Sequence, residues 1–202
     1  MRTLSVLLVS ATTLFGAQDI QAQGVRAVGG LVGWVEGRQL IARQDPSRAR
    51  SGLMAGLFID VASNASWLDI MAEAYLVQRG GYVPVGKLVA EVEADYLAFA
   101  LLPKVRFPLG PLSVYAYAGP NLDYHLRTQA GGELADVYRR MSPQVLGIAL
   151  GGGLEMDIGV TGSLRLELRH DEQLTEAFPD APTDVHHRSK ALVLRYGRRG
   201  PG

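Results

Sequence analysis

Along most of this chain, apolar and polar residues alternate at every second position, and that period leaves few folds open. In "GSLRLELRHDE", Gly162 to Glu172, one side carries Leu164, Leu166 and Leu168 and the other Arg165, Glu167 and Arg169. Successive side chains of a strand point to opposite faces, so this run predicts a strand with a leucine face and a face of mixed charge. "SWLDIMAEAYLVQR" sets Leu68, Ile70, Ala72, Ala74 and Leu76 against Trp67, Asp69, Met71, Glu73, Tyr75 and Arg79. "LSVYAYAGPNLDYHLR" sets Val114, Ala116, Ala118, Leu122, Tyr124 and Leu126 against Tyr115, Tyr117, Asn121, Asp123, His125 and Arg127. "VLGIALGGGLEMDIG" opposes Leu146, Ile148, Leu150, Leu154, Met156 and Ile158 to Gly147, Gly151, Gly153, Glu155 and Asp157. Lys104, Arg106 and Arg195 occupy the polar faces of two further runs. Helical spacing fits none of these segments, and antiparallel strands between two different environments fit them all. Only "GELADVYRRM" has helical character, as a turn of helix within a loop.

Eight strands are expected, over 24–35, 51–62, 66–79, 94–107, 112–127, 143–158, 162–172 and 189–198. Their connections alternate. "ASNAS", "PLGPL" and "GVTG" follow the second, fourth and sixth strands, whereas the odd-numbered strands lead into much longer segments. Short turns at one end, long loops at the other and an even strand number are the pattern of transmembrane β-barrels. The predicted fold is therefore all-β, an eight-stranded antiparallel up-and-down transmembrane barrel.

The beginning of the chain points the same way. Arg2 precedes an apolar run from Leu4 to Ala17 and the polar stretch "QDIQAQ", the layout of a secretory signal peptide. The run is shorter than the ~20 apolar residues a spanning helix needs. Cleavage is expected after Ala22, leaving one barrel domain over residues 23–202. A formal net charge of +0 gives no basic surface for nucleic acid, and the absence of cysteine excludes disulfide frameworks and thiolate metal sites.

Alternation alone does not say which face is inside. A lipocalin-like secreted or periplasmic barrel would hold an apolar ligand among its leucines and turn its charges to water. A membrane barrel does the reverse. Loop alternation, the leader and the mixed signs of Asp69, Glu73, Lys104, Glu155, Arg165, Glu167, Arg169 and Arg195 favour lipid outside and a charged interior. An eight-stranded barrel has room inside only for side chains, so these charges can pair there.

The stretches "GLMAGLFIDV", "IMAEAYLVQRGG", "DYLAFALLPKVRF", "VYAYAGPNLDYHL" and "ALGGGLEM…SLRLELRH" occur in this order across most of residues 24–198. In them the chain resembles the small eight-stranded outer-membrane barrels of bacteria, the OmpA/OmpX-like porin family, and most of all its bacteroidetes-type β-barrel domain. The resemblance implies a bacterial outer-membrane location and supplies no catalytic residues. Such barrels usually end in an aromatic residue, whereas here Tyr196 stands six residues before the last.

Candidate chemistry is sparse. Asp184, His186 and His187 in "DVHHR" could face a metal, but adjacent histidines on an extended chain diverge and no third ligand stands near. "GIALGGGLE" lacks the lysine of a phosphate loop; Gly147, Gly151 and Gly153 are expected to make room for large side chains such as Tyr115 and Tyr117. "NAS" at Asn64 reads as a tight turn. His125 and His170 lie near the outer rim without a serine and acid to complete a triad, so a lipid-modifying hydrolase is the lesser alternative. His125 is expected to hydrogen-bond in the lumen and His170 to sit at the interface. No catalytic residue, cofactor or metal is therefore assigned. The expected partners are outer-membrane lipid, the barrel assembly machinery and an unidentified extracellular ligand of the loops, with no nucleic acid and a monomeric state. Protease added to intact cells should cut within Arg38–Arg50 or Arg127–Arg140 and spare the turns near Asn64, Pro108 and Thr161. Cutting at those short turns instead would refute this orientation.

Overall fold

The computed structural model describes residues 24–41, 48–85, 88–130, 142–175 and 185–199. The proposed leader, the stretch "GELADVYRRM" and Asp184 lie outside the described residues. Eight strands follow one another: β1 (Gly24–Ile41), β2 (Arg48–Ala62), β3 (Leu68–Val85), β4 (Leu88–Leu109), β5 (Leu112–Ala130), β6 (Gln144–Asp157), β7 (Ser163–Gln173) and β8 (Val185–Arg199). Each pairs antiparallel with its sequence neighbours, and β8 returns to β1, closing the barrel. Closure removes the free sheet edge from the body of the barrel.

The turns at the end where β1 begins and β8 finishes are short for local reasons. Ser63 Oγ accepts a hydrogen bond from the Ala65 amide (3.2 Å) and donates to the Leu68 carbonyl (2.8 Å), fixing the turn that contains Asn64. Gly110 takes a positive φ of 72° between β4 and β5. Between β6 and β7 a single 3-10 turn spans Gly159–Thr161. Next to it Gly162, at φ 142°, lies so close to the Gly197 carbonyl that a Cβ would stand 2.1 Å from that oxygen.

At the opposite end the strands run on further than alternation shows. The segment "GGYVPVGKLVAEVE", expected as a long connection, is almost wholly strand: β3 continues to Val85 and β4 starts at Leu88. Over 82–89 its apolar residues do not alternate with polar ones, so the periodic signal lapses where the hydrogen-bonded ladder does not. With 18 and 22 residues, β3 and β4 exceed the ~9–11 that a tilted spanning strand needs. Trp67 is corrected as well. It stands in the β2–β3 turn, 54% exposed, rather than on the inner face of β3.

Which face looks inward is decided. Leu164, Leu166 and Leu168 lie outside, with Leu168 69% exposed, and they share that surface with Leu57, Phe99, Leu101, Leu154, Leu192 and Leu194. Arg165, Glu167 and Arg169 point inward and are at most 2% exposed. A barrel with its leucines outside and its ions inside is inside-out relative to a water-soluble one, which rejects the lipocalin-like arrangement. Leu166 stands 51% exposed on this wall. Leu166→Ala should therefore be mild, whereas Leu166→Arg should cost ~2–4 kcal/mol, as a charge on the lipid face near mid-membrane does. Unfolding titrations in lipid vesicles check both; a severe Leu166→Ala would mean that the leucine face is packed.

Candidate functional site

The interior is the most elaborated part of the molecule. Five cations, Arg79, Lys104, Arg165, Arg169 and Arg195, and seven acids, Asp60, Asp69, Glu73, Asp123, Glu155, Glu167 and Asp171, are buried there among the described residues. Arg26 and Arg106, less buried at the mouth where β1 begins, each approach Asp69 at 3.7 Å. Seven positive groups then stand with seven negative ones. Taking an ion out of water costs several kcal/mol, and only close, well-hydrogen-bonded partners repay it. The lumen is built to supply them.

Acids that bridge two cations join the strands. Glu73 on β3 receives Arg169 (2.5 Å) on one carboxylate oxygen and Arg195 (2.6 Å) on the other. Arg195 also donates to Glu167 (2.6 Å), which further accepts hydrogen bonds from the hydroxyls of Tyr115 (2.7 Å) and Tyr117 (2.9 Å). Arg169 continues to Asp171 (2.9 Å) and donates to the Tyr75 hydroxyl (2.6 Å). Arg79 pairs with Asp123 and approaches Asp171 at 3.7 Å. This half of the network thus runs from β3 through β5 and β7 to β8.

A second half lies nearer the end that carries the short turns. Asp60 on β2 binds Lys104 (2.7 Å) and Arg165 (2.6 Å), and Glu155 lies 3.3 Å from Arg165 and 3.8 Å from Lys104. Between the halves stands Phe58. The guanidinium of Arg165 is 4.9 Å from its ring centroid and that of Arg195 5.4 Å. A ring quadrupole attracts cations most where water is excluded, so Phe58 links the halves without an acid.

The eight charges whose mixed signs pointed to a charged interior, Asp69, Glu73, Lys104, Glu155, Arg165, Glu167, Arg169 and Arg195, are all buried in this lumen, whereas Asp157, placed on the same face by alternation, is exposed at the short-turn end beside Arg199. The glycine expectation holds in the register. Gly151 pairs with Tyr117 and Gly147 with Asn121, and a Cβ on either would stand 2.5 Å from the oxygen of its partner's side chain. Gly153 pairs with Tyr115, but a Cβ there would first meet the Leu166 carbonyl at 2.1 Å. Asp60 and Phe58 were not legible. Their strand carries apolar residues on both faces, Met54 and Phe58 inside and Leu53 and Leu57 outside, so polarity does not separate the faces.

Arg127 is a correction. Tyr96 pairs with His125 but Asp95 pairs with Arg127, so Leu126 is an extra residue in a bulge. That flips Arg127 to the outer surface, where it meets Asp95 at 2.7 Å. His125 is only partly buried; its Nε2 lies 2.6 Å from Thr128 Oγ1 and its ring stands edge-on to Tyr96. His170 lies on the outer wall, 3.8 Å from Glu172. His187 faces the lumen beside Tyr96, with ring centroids 6.3 Å apart. No cluster of three metal-ligating side chains occurs among the described residues.

No family model matches the chain, and neither does any curated protein. Solved structures do. The structure is similar to Neisserial surface protein A, with a TM-score of 0.54 and 9% identity over 86% of this chain and 99% of that one. It is likewise similar to the outer membrane protein OprG of Pseudomonas aeruginosa, with a TM-score of 0.55 and 13% identity over 89% and 98%. At such identities the fold is what is shared: a small eight-stranded outer-membrane β-barrel.

Glu167 holds one arginine and two tyrosines at once, so removing its charge should be costly. Glu167→Leu is expected to destabilise by ~3–5 kcal/mol, the usual loss when one partner of a buried pair is removed. Equilibrium unfolding in detergent checks it, and a silent substitution would show that the network contributes nothing to folding.

Proposed function

We propose that this chain serves the bacterial outer membrane as a monomeric, sealed barrel whose role is structural or one of surface interaction, carried by its long-loop end. The observation that supports this reading is the filled lumen. Asp60, Lys104, Arg195 and Tyr96, drawn from β2, β4 and β8, are each 0% exposed, so water does not reach the mid-lumen side chains. Ion pairs that cross the bore, such as Glu73 on β3 with Arg195 on β8, occupy the space that a solute path would need.

A sealed body leaves the outer wall and the two ends to act. At the long-loop end, β3 and β4 run beyond the apolar belt, whose limit on β4 is marked by the outward Asp95 and Glu93 after Leu97. Glu93 there pairs with Arg50, so the projecting ladder has ionic ties of its own. Surface loops raised on a rigid scaffold are where binding residues concentrate. A ligand for these loops, lipid around the wall and the barrel assembly machinery are the partners this reading calls for. The reading assigns no catalytic residue.

The reading is tested in planar bilayers. The purified protein should insert, shift its gel mobility on boiling as folded barrels do, and give no steady stepwise conductance. Stable open-channel currents would overturn the sealed-lumen reading. Recovery of the protein from cells in soluble form, without detergent, would overturn the membrane one.

A further inference from the structure

The outer wall carries one feature that a plain apolar belt does not explain. Across β6, β7, β8 and β1 lies a shallow groove of about 450 Å³, walled by Trp34, Leu150, Leu168 and Leu192. His170 and Lys190 stand at its polar end, with Glu36 beyond them. His170 and Lys190 face each other directly across β7 and β8. Cross-strand neighbours of this kind lie within ~5.5 Å at Cβ. The row they form is level with Leu150, the register partner of His170 on β6. One row further out, Glu172 and Arg188 pair at 2.5 Å. Lys190 is thus set a step inside the ionic rim, against leucine.

The acids nearby are already engaged. Glu172 is held by Arg188 and also lies 3.8 Å from His170, and Glu36 lies 3.4 Å from Arg38. Lys190 has no ion pair among the described residues, although Glu36 is its register partner on β1. Lys190 is exposed beside leucine and tryptophan, so its ammonium is open to an anion that reaches it from outside. The same surface offers hydrocarbon contact immediately below. Charge and shape together fit an anionic amphiphile.

We propose that this groove binds a phosphate-bearing lipid of the surrounding leaflet. Its phosphate would rest on Lys190 and His170, with an acyl chain lying along Leu150, Leu168, Leu192 and Trp34. The inference rests on the membrane reading above and adds to it a specific lateral site.

The chain has two tryptophans, so Trp67→Phe makes Trp34 the sole reporter. That variant, placed in phosphatidylcholine vesicles, is titrated with brominated-chain phosphatidic acid or, separately, brominated-chain phosphatidylcholine. Quenching should show phosphatidic acid enriched at Trp34 about fivefold, the size of one basic residue's attraction for anionic lipid. Lys190→Gln with His170→Gln should bring the two lipids level, while unfolding stability stays unchanged. Equal quenching by both lipids at the outset, or a preference that survives the double substitution, would overturn the site. Added inorganic phosphate should leave the preference intact; its loss would mean that a free anion, not a lipid, is recognised. Quenching by neither lipid would show that the barrel is not in the bilayer, and the membrane reading would fall with the site.

Discussion

Hydrocarbon offers a backbone amide no hydrogen-bond partner, and the rest of this structure follows from that. A strand that crosses a bilayer must find both neighbours within the same molecule, so the eight strands close on themselves. Closure then divides every strand's side chains between a wall and a bore. The wall meets lipid and is leucine, valine and phenylalanine. The bore is narrow and must be filled by the opposite face of the same strands.

Filling it with ions demands order. Most of the buried charges find a partner on another strand, although Arg169 also meets Asp171 two residues along the same face of β7. Glu73 answers this by spanning Arg169 and Arg195, and Asp60 by spanning Lys104 and Arg165. These pairs tie residues far apart in the chain across the barrel, so they bear on register as well as on stability. A slip of one residue would carry the whole charged set to the lipid face. The charges therefore restrict the barrel to one pairing scheme even where their net contribution to stability is small.

Space is the second constraint on the bore. Large side chains from β3, β5 and β8 converge there, and β6 gives way to them. Gly151 lies opposite Tyr117, and the room it leaves lets that hydroxyl reach Glu167. Phe58 performs the complementary service, filling volume between Arg165 and Arg195 while its ring face attracts both. The bore is closed by shape as much as by charge.

From the sequence alone came the strand count, the antiparallel order, the short turns at one end and the membership of eight inner charges. All of these rest on local signals: the period of two, turn residues and loop lengths. Local signals stop where the polarity contrast stops. That is why "GGYVPVGKLVAEVE" reads as a loop although it is ladder, and why Asp60 and Phe58, on a strand apolar on both faces, gave no sign of their place. Arg127 shows the limit most plainly, since one extra residue at Leu126 reverses the face and only the pairing of β4 with β5 reveals it. Which acid meets which base was likewise beyond the sequence. Partners such as Glu73 and Arg169 are 96 residues apart, and only the stagger of a closed barrel brings them within hydrogen-bond reach.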